Sequence, residues 1–303
     1  MTRRQLLAGA AAGSALLTST AGAQSHAENP PKAPRITPSI CLYSQVLLKV
    51  PYDELGPVLK SLDVDGCDLA VFPGSHIRAE HLDLDVERAI EAITGVGVDV
   101  PVLSTECTSL SDSSIRTVAG FASEMGIPLF RAGHWKYPPA GPVEARLAEV
   151  QRDMAGLASL ARMANMAVAI QNVPGEVGGA LWDTHMLIRA LDPRTIGYDY
   201  DAGYAAEMGA LSSDVALRLV LPRIKMVTAR DFYWTKDGGA WKSAACPLGE
   251  GMVDWAALFQ ALAKAHFAGP ISVTVDYRPT DDLGAVRRDV AFLRKQVAAA
   301  YGG

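Results

Sequence analysis

Two periods of apolar positions run through this chain. Short apolar runs bounded by Gly, Pro or polar residues read as buried strands of a parallel sheet. Between them lie longer segments in which Leu, Val, Met and Ala recur every three or four residues, the spacing of amphipathic helices. Strands are predicted over 39–43, 67–72, 100–104, 128–132, from 168 to the amide pair Gln171-Asn172, 196–200, 224–228 and 271–275. Helices are predicted over 52–62, 86–96, 115–125, 143–164, 183–191, 212–219, 255–265 and 285–299, with Ser212 as the N-cap of the sixth. A longer loop carrying Trp234, Trp241 and the run C-P-L-G-E-G-M-V-D-W separates the seventh strand from its helix.

Eight strands alternating with helices over one continuous stretch are the signature of an α/β (β/α)8 TIM barrel in a single domain. A doubly wound open sheet is the competing arrangement. The first strand is not followed by the G-x-G-x-x-G turn of a dinucleotide-binding sheet, and this favours the barrel. No internal repeat interrupts the pattern.

Composition narrows the picture. The chain has 303 residues, is 49% hydrophobic and carries a net charge of −5, ample apolar content for one large core. Mild acidity without a Lys/Arg cluster argues against nucleic acid as a partner. Beyond the N-terminus no apolar run reaches the length of about 18 residues that a membrane span requires. At the N-terminus, Arg3-Arg4 precede an apolar run over 6–17, and Ala21-Gly22-Ala23 supply small residues for a peptidase. That pattern resembles a twin-arginine signal peptide over 1–23, followed by a linker over 24–36 and the barrel over 37–303. Export of a folded protein to the periplasm is the expectation. The four cysteines, Cys41, Cys67, Cys107 and Cys246, form no C-x-x-C pair, so neither zinc nor redox motifs are indicated. Buried free thiols are expected for Cys41 and Cys67, which lie in apolar runs.

In a barrel, chemistry gathers at the C-terminal strand ends. Those ends supply His76, Glu106, His134, Lys136, Gln171, Asn172, Asp201, Tyr204, Thr228, Arg230, Asp231, Asp276 and Tyr277. Each has a bland reading: a loop histidine, a helix cap for Asp201, a rim ion pair for Arg230-Asp231. The placement of Asp201 and Asp276 directly after apolar strands is harder to dismiss. With His134 they are the candidate acid and base groups. Gln171, Asn172, His76, Glu106, Lys136, Arg230, Asp231 and Tyr204 are the candidate substrate contacts. Trp135, Tyr137, Tyr233, Trp234 and Trp241 stand in the loops, where aromatic faces suit sugar rings.

The stretches G-C-D-L-A-V-F-P-G-S-H (66–76), I-Q-N-V-P-G, Y-D-A-G-Y, K-M-V-T-A-R-D-F-Y-W and P-L-G-E-G-M-V-D-W together resemble the sugar phosphate isomerase/epimerase family, the xylose-isomerase-like barrels. The resemblance covers about 39–300. It implies a small-molecule carbohydrate substrate, proton abstraction next to a carbonyl, and a divalent metal held by Glu, Asp, His and Glu from the last four strands. Carried across, those ligands fall on Gln171, Asp201, Thr228 and Asp276, so Asp201 and Asp276 are the two metal-binding acids that remain. Neutral Gln and Thr supply little charge to a divalent ion, which weakens the metal expectation. The resulting functional expectation is a sugar isomerase or epimerase acting on a free sugar or keto-sugar. A keto-glycoside lyase and a non-catalytic sugar-binding barrel are the alternatives, and a homo-oligomer is left open.

Overall fold

A computed structural model describes residues 37–77, 82–278 and 282–302. The signal and linker expected over 1–36 lie outside the described residues. The elements run β1 (Ile40–Tyr43), α1 (Leu55–Ser61), β2 (Gly66–Ala70), α2 (Leu82–Thr94), β3 (Asp99–Ser104), α3 (Ser114–Glu124), β4 (Leu129–Arg131), β5 (Trp135–Lys136), α4 (Val143–Met163), β6 (Ala167–Gln171), β7 (Glu176–Val177), α5 (Leu181–Ile188), β8 (Ile196–Asp201), α6 (Ala202–Gly209), α7 (Ser213–Val220), β9 (Ile224–Ala229), β10 (Asp231–Asp237), β11 (Ala240–Cys246), α8 (Trp255–Lys264), β12 (Ile271–Val273) and α9 (Leu283–Tyr301).

Eight of these strands close into a parallel barrel in the order β1-β12-β9-β8-β6-β4-β3-β2. Side chains alternate across each strand, so one set faces the helices and the other fills the barrel. On β8 the outward set is Ile196, Tyr198 and Tyr200, all part of the main apolar core. The inward set contains Asp199 and Asp201, both fully buried. A small apolar cluster of Val102, Leu129, Ala169 and Met226, one residue from each of four strands, plugs the lower barrel. Two residues further along the same strands stand Ser104, Arg131, Gln171 and Thr228. The barrel interior therefore turns from apolar to polar within one pleat of the mouth.

Several elements differ from the sequence expectation. The eighth barrel strand ends at Val273, so Asp276 lies in the following loop rather than at the strand end. Asp201 is a helix cap, as its bland reading allowed: its carboxylate accepts the Tyr204 N–H and caps α6. Ser212 precedes α7, but its hydroxyl makes no capping bond. The long loop after the seventh strand is an antiparallel hairpin pairing β10 with β11 from Asp231↔Cys246 to Asp237↔Ala240. Its turn is Gly238-Gly239, with φ of 58° and 88° at the two positions. Both angles lie in the left-handed region that tight hairpin turns require and that glycine adopts without steric cost.

All four cysteines are buried and free, as expected for Cys41 and Cys67. Burial raises the Cys107 thiol to about 11, so it stays protonated at neutral pH. Among the described residues no helix is long and apolar enough to cross a membrane.

Candidate active site at the barrel mouth

The site is built in two tiers. The lower tier is a buried ionic network centred on Arg131, the inward residue at the end of β4. Its guanidinium lies 3.3 Å from Asp199 and 3.8 Å from Asp68, both fully buried. Ser104 and Ser272 donate to the two oxygens of Asp68, the latter at 2.7 Å. The Thr228 hydroxyl lies 2.8 and 2.9 Å from the oxygens of Asp199. Above the guanidinium, the Tyr43 ring centroid is 4.6 Å from Arg131 Cζ, a cation–π contact. Residues of seven strands, β1, β2, β3, β4, β8, β9 and β12, thus join in one network around this cation.

A single guanidinium cannot neutralise two carboxylates. Burial lifts Asp199 to about 6, with Arg131 opposing the shift and Asp201 adding to it. The same two acids hold Arg131 firmly protonated despite the cost of burying its charge.

The upper tier lies at the strand ends from β4 to β12. Asp201 accepts from Gln171 Nε2 at 3.0 Å, from Arg230 Nε at 3.1 Å and from the Tyr204 N–H at 3.0 Å. Arg230 also pairs through Nη1 with Asp276, and its Cζ sits 4.4 Å from the Tyr204 ring centroid. The guanidinium therefore bridges a buried acid and a partly exposed one. Gly203, in the D-A-G-Y run, makes this fit possible: a Cβ there would lie 2.9 Å from the Arg230 carbonyl oxygen and 3.0 Å from its Cγ. Any side chain at 203 would push the arginine away from α6.

His134 follows β4 on the same rim. The residue is exposed to solvent at the strand end. Burial, reinforced by the charge of Arg131, lowers it to about 4. At neutral pH it is an uncharged imidazole, able to accept a proton. Glu106 is exposed, and its charge is felt at the Tyr43 hydroxyl, which places it at the mouth near β1.

The remaining candidates have other work. Asn172 is a backbone clamp: its Oδ1 accepts the Asp201 N–H at 2.8 Å and its Nδ2 donates to the Asp201 carbonyl at 3.1 Å. Both ends of the amide are thus engaged by protein, which leaves it poorly suited to a sugar hydroxyl. Asn172→Ala is expected to strip the buried Asp201 N–H of its partner and to cost about 1–3 kcal/mol in denaturant unfolding. Asp231 forms no rim pair with Arg230. Its carboxylate accepts from the N–H groups of Phe232, Gly249, Gly251 and Val253 and from Trp255 Nε1 at 2.8 Å, fastening the L-G-E-G-M-V-D-W loop to the base of the hairpin. His76 Nε2 sits 2.8 Å from the Leu47 carbonyl, beside the turn after β1. Lys136 is exposed on β5. Trp135 is buried with its indole N–H on Asp153, and Tyr137 donates to Asp183, so both anchor loops. Tyr233, Trp234 and Trp241 are exposed on the hairpin.

Sequence reading missed Tyr43, Asp68, Arg131 and Asp199. A signal for Asp199 was present: Y-D-Y-D places Asp199 on the same face as Asp201.

The four positions at which the resemblance implies metal ligands do not present a metal-binding set. The Thr228 hydroxyl is directed at Asp199, the Gln171 amide turns a donor toward Asp201, and Arg230 lies against both acids. A divalent cation would have to sit beside a guanidinium of like charge, with two of its four implied partners, Gln171 and Thr228, neutral. Among the described residues no three His, Cys, Asp or Glu side chains gather as a metal-holding group.

Comparison with known proteins sets this site in context. The xylose isomerase-like TIM barrel family matches residues 59–296, and the chain belongs to that family. No curated protein sequence matches it. Among solved structures, a xylose isomerase-like TIM barrel protein from Mycobacterium smegmatis in complex with magnesium is 14% identical, with a TM-score of 0.66 over 88% of this chain and 97% of that one. The 3-keto-D-glucoside 4-epimerase of E. coli is 17% identical, with a TM-score of 0.68 over 85% and 99%. The IOLI protein with a bound zinc atom is 13% identical, with a TM-score of 0.69 over 88% and 100%. At such identities the likeness is one of fold.

Proposed function

We propose that this barrel is a sugar isomerase or epimerase that removes a proton next to the carbonyl of a free sugar or keto-sugar. The observation that carries this reading is the presence, at the C-terminal strand ends of one barrel, of an uncharged His134 after β4 and the guanidinium of Arg230 after β9. Abstraction takes a proton from the carbon beside the carbonyl. The bonding electrons move onto the carbonyl oxygen, and the enediol is reprotonated on the same or the neighbouring carbon. A neutral imidazole accepts the proton, and a fixed cation favours the developing oxyanion. The proton taken up by His134 is then returned to the enediol. Asp201 and Asp276, both paired with Arg230, hold the cation in place rather than donate a proton.

The E. coli neighbour acts on a 3-keto-glucoside, and keto-glycosides join simple ketoses as candidate substrates. The twin-arginine pattern supports a periplasmic location, where unphosphorylated sugars are the natural supply. The saturated Asp201 favours a second reading, a sugar-binding barrel without turnover. A screen of purified protein against free ketoses and 3-keto-glycosides, with and without chelator, separates the two. Isomerised or epimerised product, unaffected by chelator, is the expected result. Sugar binding without product from any of these compounds would overturn the enzyme reading in favour of the second.

A further inference from the structure

We propose that Arg230 is the resident cation of this site, a guanidinium built into the chain where the family resemblance implies a metal ion; its use in turnover rests on the sugar reading above. Of the four ligand positions implied by the resemblance, only Asp201 and Asp276 are acids, and Arg230 contacts both. It is not a rim side chain that drifted inward. Gly203 leaves the space for its Cγ, Tyr204 supports its flat face, and Asp201 fixes its Nε at 3.1 Å. Its side chain keeps 14% of its surface exposed, and through that surface it meets a ligand oxygen. A guanidinium offers fixed N–H donors to an oxyanion and cannot be removed by chelation.

Deleting the arginine is expected to convert an ion pair into a latent metal site. Without its charge, Asp201 and Asp276 face each other with Gln171 beside them, and a divalent ion relieves the uncompensated charge. The test is Mn²⁺ titration by electron paramagnetic resonance, with thermal unfolding in parallel, on the wild type, Arg230→Ala, Arg230→Gln and Arg230→Ala/Asp276→Asn. Arg230→Gln keeps a donor on the buried Asp201 and so protects folding if the alanine variant fails. The neutral single variants are expected to bind Mn²⁺ at least about tenfold more tightly than the wild type and to gain melting temperature on its addition. The double variant is expected to lose that gain. Tight one-to-one Mn²⁺ binding by the wild type, or folded neutral variants with no gain over it, would overturn the proposal. These readouts do not involve sugar. If they hold while no sugar is turned over, the resident cation stands and the isomerase reading falls. If the sugar reaction proceeds but the variants gain no metal binding, the reverse is true.

Discussion

Arg131→Leu is expected to destabilise the barrel by about 3–5 kcal/mol, measured by denaturant unfolding. Leucine approximates the aliphatic part of arginine but leaves Asp68 and Asp199 fully buried with no cation between them. Serine and threonine hydroxyls still reach both acids, yet each hydroxyl supplies one proton and no charge. The burial that already lifts Asp199 to about 6 would then lack the charge that chiefly opposes it. One way out is proton uptake, so the loss is expected to be greater at high pH than at low. A group held protonated in the fold contributes stability below its folded value and loses it as pH rises through that value. Replacing Asp68 and Asp199 by Asn along with Arg131→Leu removes all three charges, and it is expected to cost less than Arg131→Leu alone. Equal costs would show that Arg131 matters through packing on Tyr43 rather than through charge.

The second large effect concerns His134. His134→Gln is expected to lower kcat by about 10²–10⁴-fold with little change in melting temperature, because the side chain is open to solvent and its removal strands no buried group. The pH profile supplies a sharper check. Burial and Arg131 depress the imidazole to about 4, so it is an uncharged proton acceptor at all pH values above that. The acid limb of kcat/KM is expected near pH 4, not near the ordinary histidine value of about 6.5. Arg131→Leu removes the second cause of the depression, and in a folded preparation the limb is expected to move upward. A limb near 6.5 in the wild type would mean that the titrating base is another group.

The barrel was legible because its signal is long-range and redundant. Eight apolar runs separated by helical spacings leave few other arrangements, and a misplaced end in one run, such as that beyond Val273, does not disturb the others. The rim was legible as a set of strand-end polar residues, and Asp201, Gln171, Arg230 and Asp276 do meet there. Division of labour within the rim was not. Asn172 and Asp231 look like ligand contacts in the sequence, but apart from the Trp255 indole on Asp231 their partners are backbone N–H and C=O groups, which no motif records. The lower tier was hidden for another reason. Asp68, Arg131 and Asp199 come from strands far apart in the chain, and each looks like a lone charge in an apolar run. Only barrel closure makes them one network. The hairpin after β9 escaped because its exposed strands lack the apolar alternation that marks a half-buried strand.

The central claim is that residues of this mouth remove a carbon-bound proton beside a carbonyl. Solvent deuterium exchange tests it most directly, since exchange reports abstraction even when little net product accumulates. Ketoses and 3-keto-glycosides incubated with the protein in D₂O and followed by proton NMR should show protein-dependent loss of the signal beside the carbonyl. That loss should persist with chelator present and largely disappear in His134→Gln. Folded wild-type protein that binds a keto-sugar yet exchanges no carbon-bound proton would contradict the account.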